Sequence, residues 1–167
     1  GAHFISVSPL RSDLPEDAAG EWLPITPGTD AALILALLHT LHQQGLTDED
    51  FLSRYCTGWP VLVRYFQGEA DGTVRDAVWA QAICGIPASD IIALAQRLHG
   101  KRVLVTVAHA LPRPPRGEPP VWLGLVLASA AGPPGLPGGG YPLSPGAPGH
   151  YGKAFNRVSF PSLPQGK

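Results

Sequence analysis

The run DAALILALLHTL, Asp30–Leu41, constrains this chain more than any other stretch. Leu33, Ile34, Leu37, Leu38 and Leu41 recur at the 3.6-residue spacing of a helix face. Ala31, Ala32, Leu35 and Ala36 make the opposite face apolar as well. A helix that is apolar on most sides must be covered on most sides, so the spacing predicts a central helix with other elements packed around it. Its one early charge is Asp30, and Thr29 just before it is placed to cap the helix.

The flanking segments supply candidates for those layers. FISVSP at 4–9 is β-branched and ends at a proline, as a buried parallel strand does. WLPIT at 22–26 reads as a second short strand, with Pro24 arguing for an edge or irregular position. Pro27-Gly28 is a turn signal. After Gly45, TDEDFLSRY starts a helix with Thr47 and Asp50 in a cap-like arrangement, and WPVLVRYFQG reads as a further short helix. TVRDAVWAQAICG is a helix closed by Gly85. In IPASDIIALAQRLHG, Ile91, Leu94, Ala95 and Leu98 share one face and Gly100 stops the helix. KRVLVTV at 101–107 reads as a continuous apolar strand, ALPRPPRGEPP as a loop, and VWLGLVLASAA as a buried helix with Pro119 and Pro120 in its first turn. Strands alternating with helices give an α/β class with a short, mostly parallel sheet.

The pattern changes at Gly132. From there to Lys167, 17 of 36 residues are Gly or Pro, too many for helix or sheet and without the strict period of collagen. The expected organisation is therefore an α/β unit over 1–131 and an extended Gly/Pro-rich segment over 132–167. Within that segment, GLPGGG at 135–140 reads as a tight turn where two backbones approach.

Charge excludes some partners. The formal net charge is −1 and only 15% of residues are charged, so neither nucleic acid nor an anionic membrane has a general electrostatic attraction to the chain. GAHFISVSPL lacks the basic start and cleavage site of a secretory signal. The longest apolar run, Val121–Ala131, is well short of the roughly 20 residues that span a bilayer. Cys56 and Cys84 read as buried thiols.

Several chemistries are absent as motifs. No GxGxxG or GxxxxGK[ST] phosphate loop and no GxSxG elbow occurs. His39 and His42 lie three apart on a helix, but no third ligand completes a metal site. His109 follows the candidate strand 101–107, a position that opens onto the crevice of an α/β sheet. Asp30 is the sharpest candidate: a carboxylate in a first helical turn is favoured in its ionised form by the helix dipole and accepts paired hydrogen bonds, as guanine's N1–H and exocyclic amine offer. The plain alternative is a helix-start Asp that serves stability.

Taken in order, ISVSPLRSD, EWLPITPGTDAALILALLHTLHQQGLTDEDFLSRYCTGW, EADGTVRDAVWAQAICGIPASDIIALAQRLHGKRVLVTVAHALPRPPRGEPPVWLGLVLASAAG, GLPGGG and SFPSLPQGK resemble the molybdopterin oxidoreductases of the dimethyl sulfoxide reductase family. The subgroup that reduces trimethylamine N-oxide, dimethyl sulfoxide and biotin sulfoxide is most similar. The resemblance implies a Rossmann-like internal domain of a longer periplasmic or cytoplasmic bacterial enzyme that carries molybdopterin guanine dinucleotide on molybdenum. It implies that Ser8 and Pro9 lie by a guanosine end of the cofactor and that Gly28, Thr29 and Asp30 hold guanine, with Asp30 as acceptor. It further implies that His109 and Arg113 belong to a loop reaching towards the pterin.

The chain departs from the family pattern at His109, where an aromatic Trp is usual, at Pro112, where Gln is usual, and at Gly28, where Gln is frequent. The family's molybdenum ligand lies upstream of the matching stretch. No catalytic residue or metal ligand is therefore expected here, nor activity or bound cofactor in this chain alone. The expected partners are the remaining domains of a parent enzyme, with self-association through exposed apolar faces as a further expectation. The alternative is a free-standing nucleotide- or protein-binding module built on the same fold.

Overall fold

A computed structural model describes residues 2–132 and 134–142. It is an α/β arrangement in which strands β1 (Phe4–Val7) and β2 (Gly20–Leu23) pair in parallel, Phe4 opposite Gly20 and Val7 opposite Leu23. Six helices follow among the described residues: α1 (Asp30–Gln43), α2 (Glu49–Tyr55), α3 (Trp59–Phe66), α4 (Ala77–Cys84), α5 (Ala88–Leu98) and α6 (Glu118–Ala131). β2 begins earlier than its apolar residues indicate and stops at Leu23, because Pro24 has no N–H to continue the ladder.

Helix α1 is the hub, packed by α3, α4, α5 and α6. Every residue of its apolar run is buried except Ala31, which is half-buried; Leu38 and Leu41 are fully enclosed. Ile91, Leu94 and Ala95 of α5 are buried against it as one face, with Leu98 half-buried at the end. Arg97 of α5 reaches Glu21 of β2 at 2.7 Å and ties the helical layer to the sheet. The helix starts differ from expectation in detail. The cap of α2 is Asp48, whose carboxylate accepts from Phe51 N–H at 2.9 Å, whereas the Thr47 hydroxyl donates to Glu49. Asp76 caps α4 in the same way through Trp79 N–H. Both carboxylates satisfy an otherwise orphan donor and favour the positive end of the helix dipole.

Residues 101–107 do not form a strand. Their only ladder element among the described residues is a bridge between Leu104 and Gly140, closed by Val105 N–H to Gly140 O at 2.9 Å and Gly140 N–H to Val103 O at 2.8 Å. The partner cannot lengthen the ladder, because Pro137 and Pro142 have no N–H to donate. Val103, Val105 and Val107 are half-buried while Leu104 and Thr106 are exposed, so the run is extended and one-faced. The glycine run at 138–140 is, as expected, where two backbones approach.

Helix α6 starts at Glu118, with Pro119 and Pro120 in its first turn. It is less enclosed than its sequence predicts, since Trp122 and Leu125 are 55% and 45% exposed. On its other side Gly124 accepts the ring of Tyr141, whose hydroxyl donates to Val121 O at 3.0 Å. The segment after Gly132 is therefore tied to the helical body as far as Tyr141. Most of the expected Gly/Pro-rich extension, residues 143–167, lies outside the described residues. No single described helix is long and apolar enough to cross a membrane.

Candidate functional site

Because β1 and β2 are parallel, their carboxyl ends open on the same side. Ser8-Pro9 leaves β1 there, and Pro24–Thr29 leaves β2 and leads into α1. This is the edge at which α/β sheets bind ligands.

The loop after β2 is held from two sides. Thr26 N–H donates to Cys84 O at 2.9 Å, so the carboxyl end of α4 grips the loop. Thr29 N–H closes a turn onto Thr26 O at 3.3 Å. Gly28 occupies the third turn position with φ +78°, the left-handed conformation that a proline–glycine turn of type II requires. A Gln at that position would be strained, which accounts for the departure from the family pattern. Gly28 is exposed, and Thr29 and Asp30 are half-buried.

Thr29 stands at the N-cap of α1 but does not cap it. Its hydroxyl donates back to Thr26 O at 2.6 Å. Asp30 begins the helix, and its carboxylate meets its own backbone N–H. Among the described residues it has no side-chain donor and no cation. Burial raises its carboxyl above the usual value near 3.8, with the backbone hydrogen bond a smaller opposing effect. The helix dipole thus does not dominate, because desolvation penalises the charged form more.

Ser8 is buried and its polar groups are all engaged. Its N–H donates to Leu23 O, its carbonyl accepts from Trp22 Nε1 at 2.8 Å, and its hydroxyl donates to Asp13 while accepting from Leu10 N–H. Ser8 shapes the loop after β1; the exposed surface beside it is Pro9 and Leu10.

His109 and Arg113 lie apart from these groups in a chain of turns over 108–117. Leu111 N–H donates to Ala108 O, Arg113 N–H to Ala110 O and Gly117 N–H to Pro114 O. Both side chains are exposed, and no hydrogen bond or ion pair joins them to Asp30 or Ser8 among the described residues. The structure therefore brings Ser8, Pro9, Gly28, Thr29 and Asp30 to one edge by strand pairing, while His109 and Arg113 are presented on a separate loop.

No family model matches the chain. Curated proteins do. Biotin sulfoxide reductase of Cereibacter sphaeroides is 42% identical over 165 residues, which is 99% of this chain and 22% of that protein. Trimethylamine-N-oxide reductase of Haemophilus influenzae is 38% identical over 144 residues, 86% of this chain and 18% of the relative. Dimethyl sulfoxide/trimethylamine N-oxide reductase of Cereibacter sphaeroides is 36% identical over 164 residues, 95% of this chain and 20% of the relative. The chain belongs to the dimethyl sulfoxide reductase family. It spans about a fifth of the length of these reductases. Among solved structures, acetylene hydratase from Pelobacter acetylenicus superposes with a TM-score of 0.63 over 77% of this chain and 17% of that one. At 20% identity this likeness shows the fold alone.

Two features of this family segment escaped sequence reasoning. A shallow cleft of about 200 Å³ is lined by His39, Gln43, Gln44 and Asp76, near the carboxyl end of α1. His39 lies nine residues beyond Asp30, about 14 Å along the helix at 1.5 Å per residue, so the cleft is separate from the loop edge. Burial lowers the His39 imidazole below its usual value, with Asp76 opposing and His42 reinforcing the shift. Both histidines pack edge-on against Phe66, at 5.9 Å and 5.7 Å between ring centres, and His42 also against Trp59. Among the described residues, no three His, Cys, Asp or Glu side chains gather as a metal ion needs.

The second feature is Arg75, buried between Tyr65 and the turn at 71–73. It is bonded to the Asp71 carboxylate and to the Tyr65 and Thr73 carbonyls. Only the fold discloses either feature, since the residues involved come from separate helices and a turn.

Proposed function

We propose that this chain forms part of the guanine-dinucleotide cradle of a molybdopterin guanine dinucleotide-dependent S-oxide or N-oxide reductase, on a Rossmann-like domain. The observation that carries the reading is identity of 36–42% to biotin sulfoxide and dimethyl sulfoxide/trimethylamine N-oxide reductases over nearly the whole chain. The loop geometry supports the finer assignment. Asp30 is a half-buried acceptor with no internal cation, at the carboxyl end of a parallel strand pair. The group fits those residues: guanine presents N1–H and its 2-amine side by side, and one carboxylate accepts both. Adenine presents an amine beside a bare ring nitrogen, which the same carboxylate repels.

In this reading Asp30 receives the base, and the exposed Pro27-Gly28 backbone and Pro9 flank it. His109 and Arg113 extend from the neighbouring loop, with Arg113 supplying positive charge towards an anionic part of the cofactor. When bound, the molybdenum centre supplies oxygen-atom transfer with two electrons; this chain's residues bind and orient. The remainder of the longer reductase is the partner, and the segment by itself is inactive.

Calorimetry with GDP and ADP tests the assignment. Wild type should bind GDP weakly and ADP less. Asp30→Asn should lose at least about tenfold in GDP affinity, since hydrogen bonds to a charged acceptor contribute roughly 1.5–3 kcal/mol against about 1 for neutral ones. Equal GDP heats for the two proteins would remove guanine from this site. A second reading, a nucleotide- or protein-binding module, is favoured by the 108–117 loop, where Pro112 replaces the usual Gln. GDP binding that ignores Asp30 but is lost on Arg113→Ala would support it.

A further inference from the structure

We propose that Thr29 is a positioning residue: its hydroxyl braces the Thr26–Thr29 turn and so sets where the Asp30 carboxylate points. A threonine at an N-cap ordinarily accepts a hydrogen bond from the second or third helical N–H. Thr29 gives up that bond and turns its hydroxyl backwards. The Thr26 carbonyl then accepts twice from the same residue, from Oγ1 at 2.6 Å and from the backbone N–H at 3.3 Å.

Thr26 is itself anchored, because its N–H donates to Cys84 O at the end of α4. Thr29 continues the chain of restraint into α1, since its carbonyl accepts from Ala32 N–H at 2.9 Å and Leu33 N–H at 3.4 Å. Asp30 therefore follows a turn fixed to α4 on one side and to α1 on the other. With Thr29 turned away, the first helical N–H is met by Asp30's own carboxylate, which keeps that carboxylate folded over the helix end and half-buried. Asp30 touches the ligand and Thr29 acts through it. The consequence for ligand binding rests on the guanine reading; the brace itself does not.

The test is a carboxyl-carbon NMR titration of Asp30 in the full chain, for wild type, Thr29→Val, Thr29→Ala and Thr29→Ser, with GDP calorimetry on each. Removing the hydroxyl in the Val and Ala variants should move the Asp30 midpoint down towards the ordinary carboxylate value and weaken GDP binding about twofold to tenfold. Ser, which keeps the hydroxyl, should restore both. An unchanged Asp30 midpoint in Thr29→Val and Thr29→Ala overturns the proposal, as does a Ser variant that shifts as far as Val. A shifted midpoint with no GDP heat in wild type supports the brace and overturns the guanine assignment instead.

Discussion

The contact between Tyr141 and Gly124 makes a quantitative prediction about how the segment after Gly132 belongs to the helical body. A Cβ at position 124 would lie 2.9 Å from Tyr141 Cε2 and 3.3 Å from Val107 Cγ1. Both are closer than carbon atoms tolerate, so Gly124→Ala must push the ring off the helix. The overpacking costs about 1–3 kcal/mol, and loss of the Tyr141 hydroxyl bond to Val121 O adds about 1 kcal/mol. Against this, Ala in a helix interior gains about 1 kcal/mol over Gly. The net expectation is a destabilisation of about 1–3 kcal/mol, read from urea unfolding.

A double-mutant cycle isolates the cause. In a Tyr141→Ala background the clash with the ring is gone, so Gly124→Ala should become roughly neutral or stabilising by up to about 1 kcal/mol. The sign of the same substitution therefore depends on a residue 17 positions away. An equal Gly124→Ala effect in both backgrounds would refute the packing of Tyr141 on α6. A parallel readout is ultraviolet titration: burial raises the Tyr141 phenol above its usual value near 10, and Gly124→Ala should bring it back.

Asp30→Asn should alter stability with a definite pH sign. Burial raises the folded-state carboxyl, so the protonated form is the one the fold favours; that contribution is present below the ordinary value near 3.8 and is lost as pH rises through the folded value. The Asn variant should therefore gain on wild type in urea midpoint at pH 7, and the gap should close on acidification; a gap that widens towards low pH would contradict the burial. Arg75→Lys should destabilise by about 2–4 kcal/mol, because a single ammonium cannot serve the Tyr65 and Thr73 carbonyls and the Asp71 carboxylate together while stacking on Tyr65. A loss under about 0.5 kcal/mol, the usual range of an exposed site, would show that the arginine fork is not needed.

Much of the helical framework was legible because its signals are local. The apolar stripe of α1 and the shared face of α5 need only a few consecutive residues to be read, and the burial of Leu38, Leu41, Ile91 and Ala95 follows directly. Cap assignments were less legible. Thr29, Thr47 and Asp50 all have cap-forming side chains, but Thr29 and Thr47 donate elsewhere and Asp48 takes the role at α2. Several polar residues compete for one N–H, and their backbone angles decide among them. The strand expected at 101–107 failed for a different reason: a strand is a pair property. Apolar β-branched residues make the run extended, yet only Gly140 reaches it between Pro137 and Pro142.

The same division runs through the candidate site. From sequence, Asp30 stands out as a charge at the mouth of an apolar helix, and the ordered family likeness points to this turn. The tertiary structure decided what surrounds it. Parallel pairing of β1 and β2 put Ser8-Pro9 and the Pro27–Asp30 turn on one side, α4 gripped Thr26, and burial reversed the expected ease of ionising Asp30. Periodicity, turn residues and family likeness are properties of neighbours along the chain, so sequence alone determined them. Desolvation, strand partnership and the seating of Tyr141 on Gly124 depend on atoms distant in the chain. No local pattern encodes those distances.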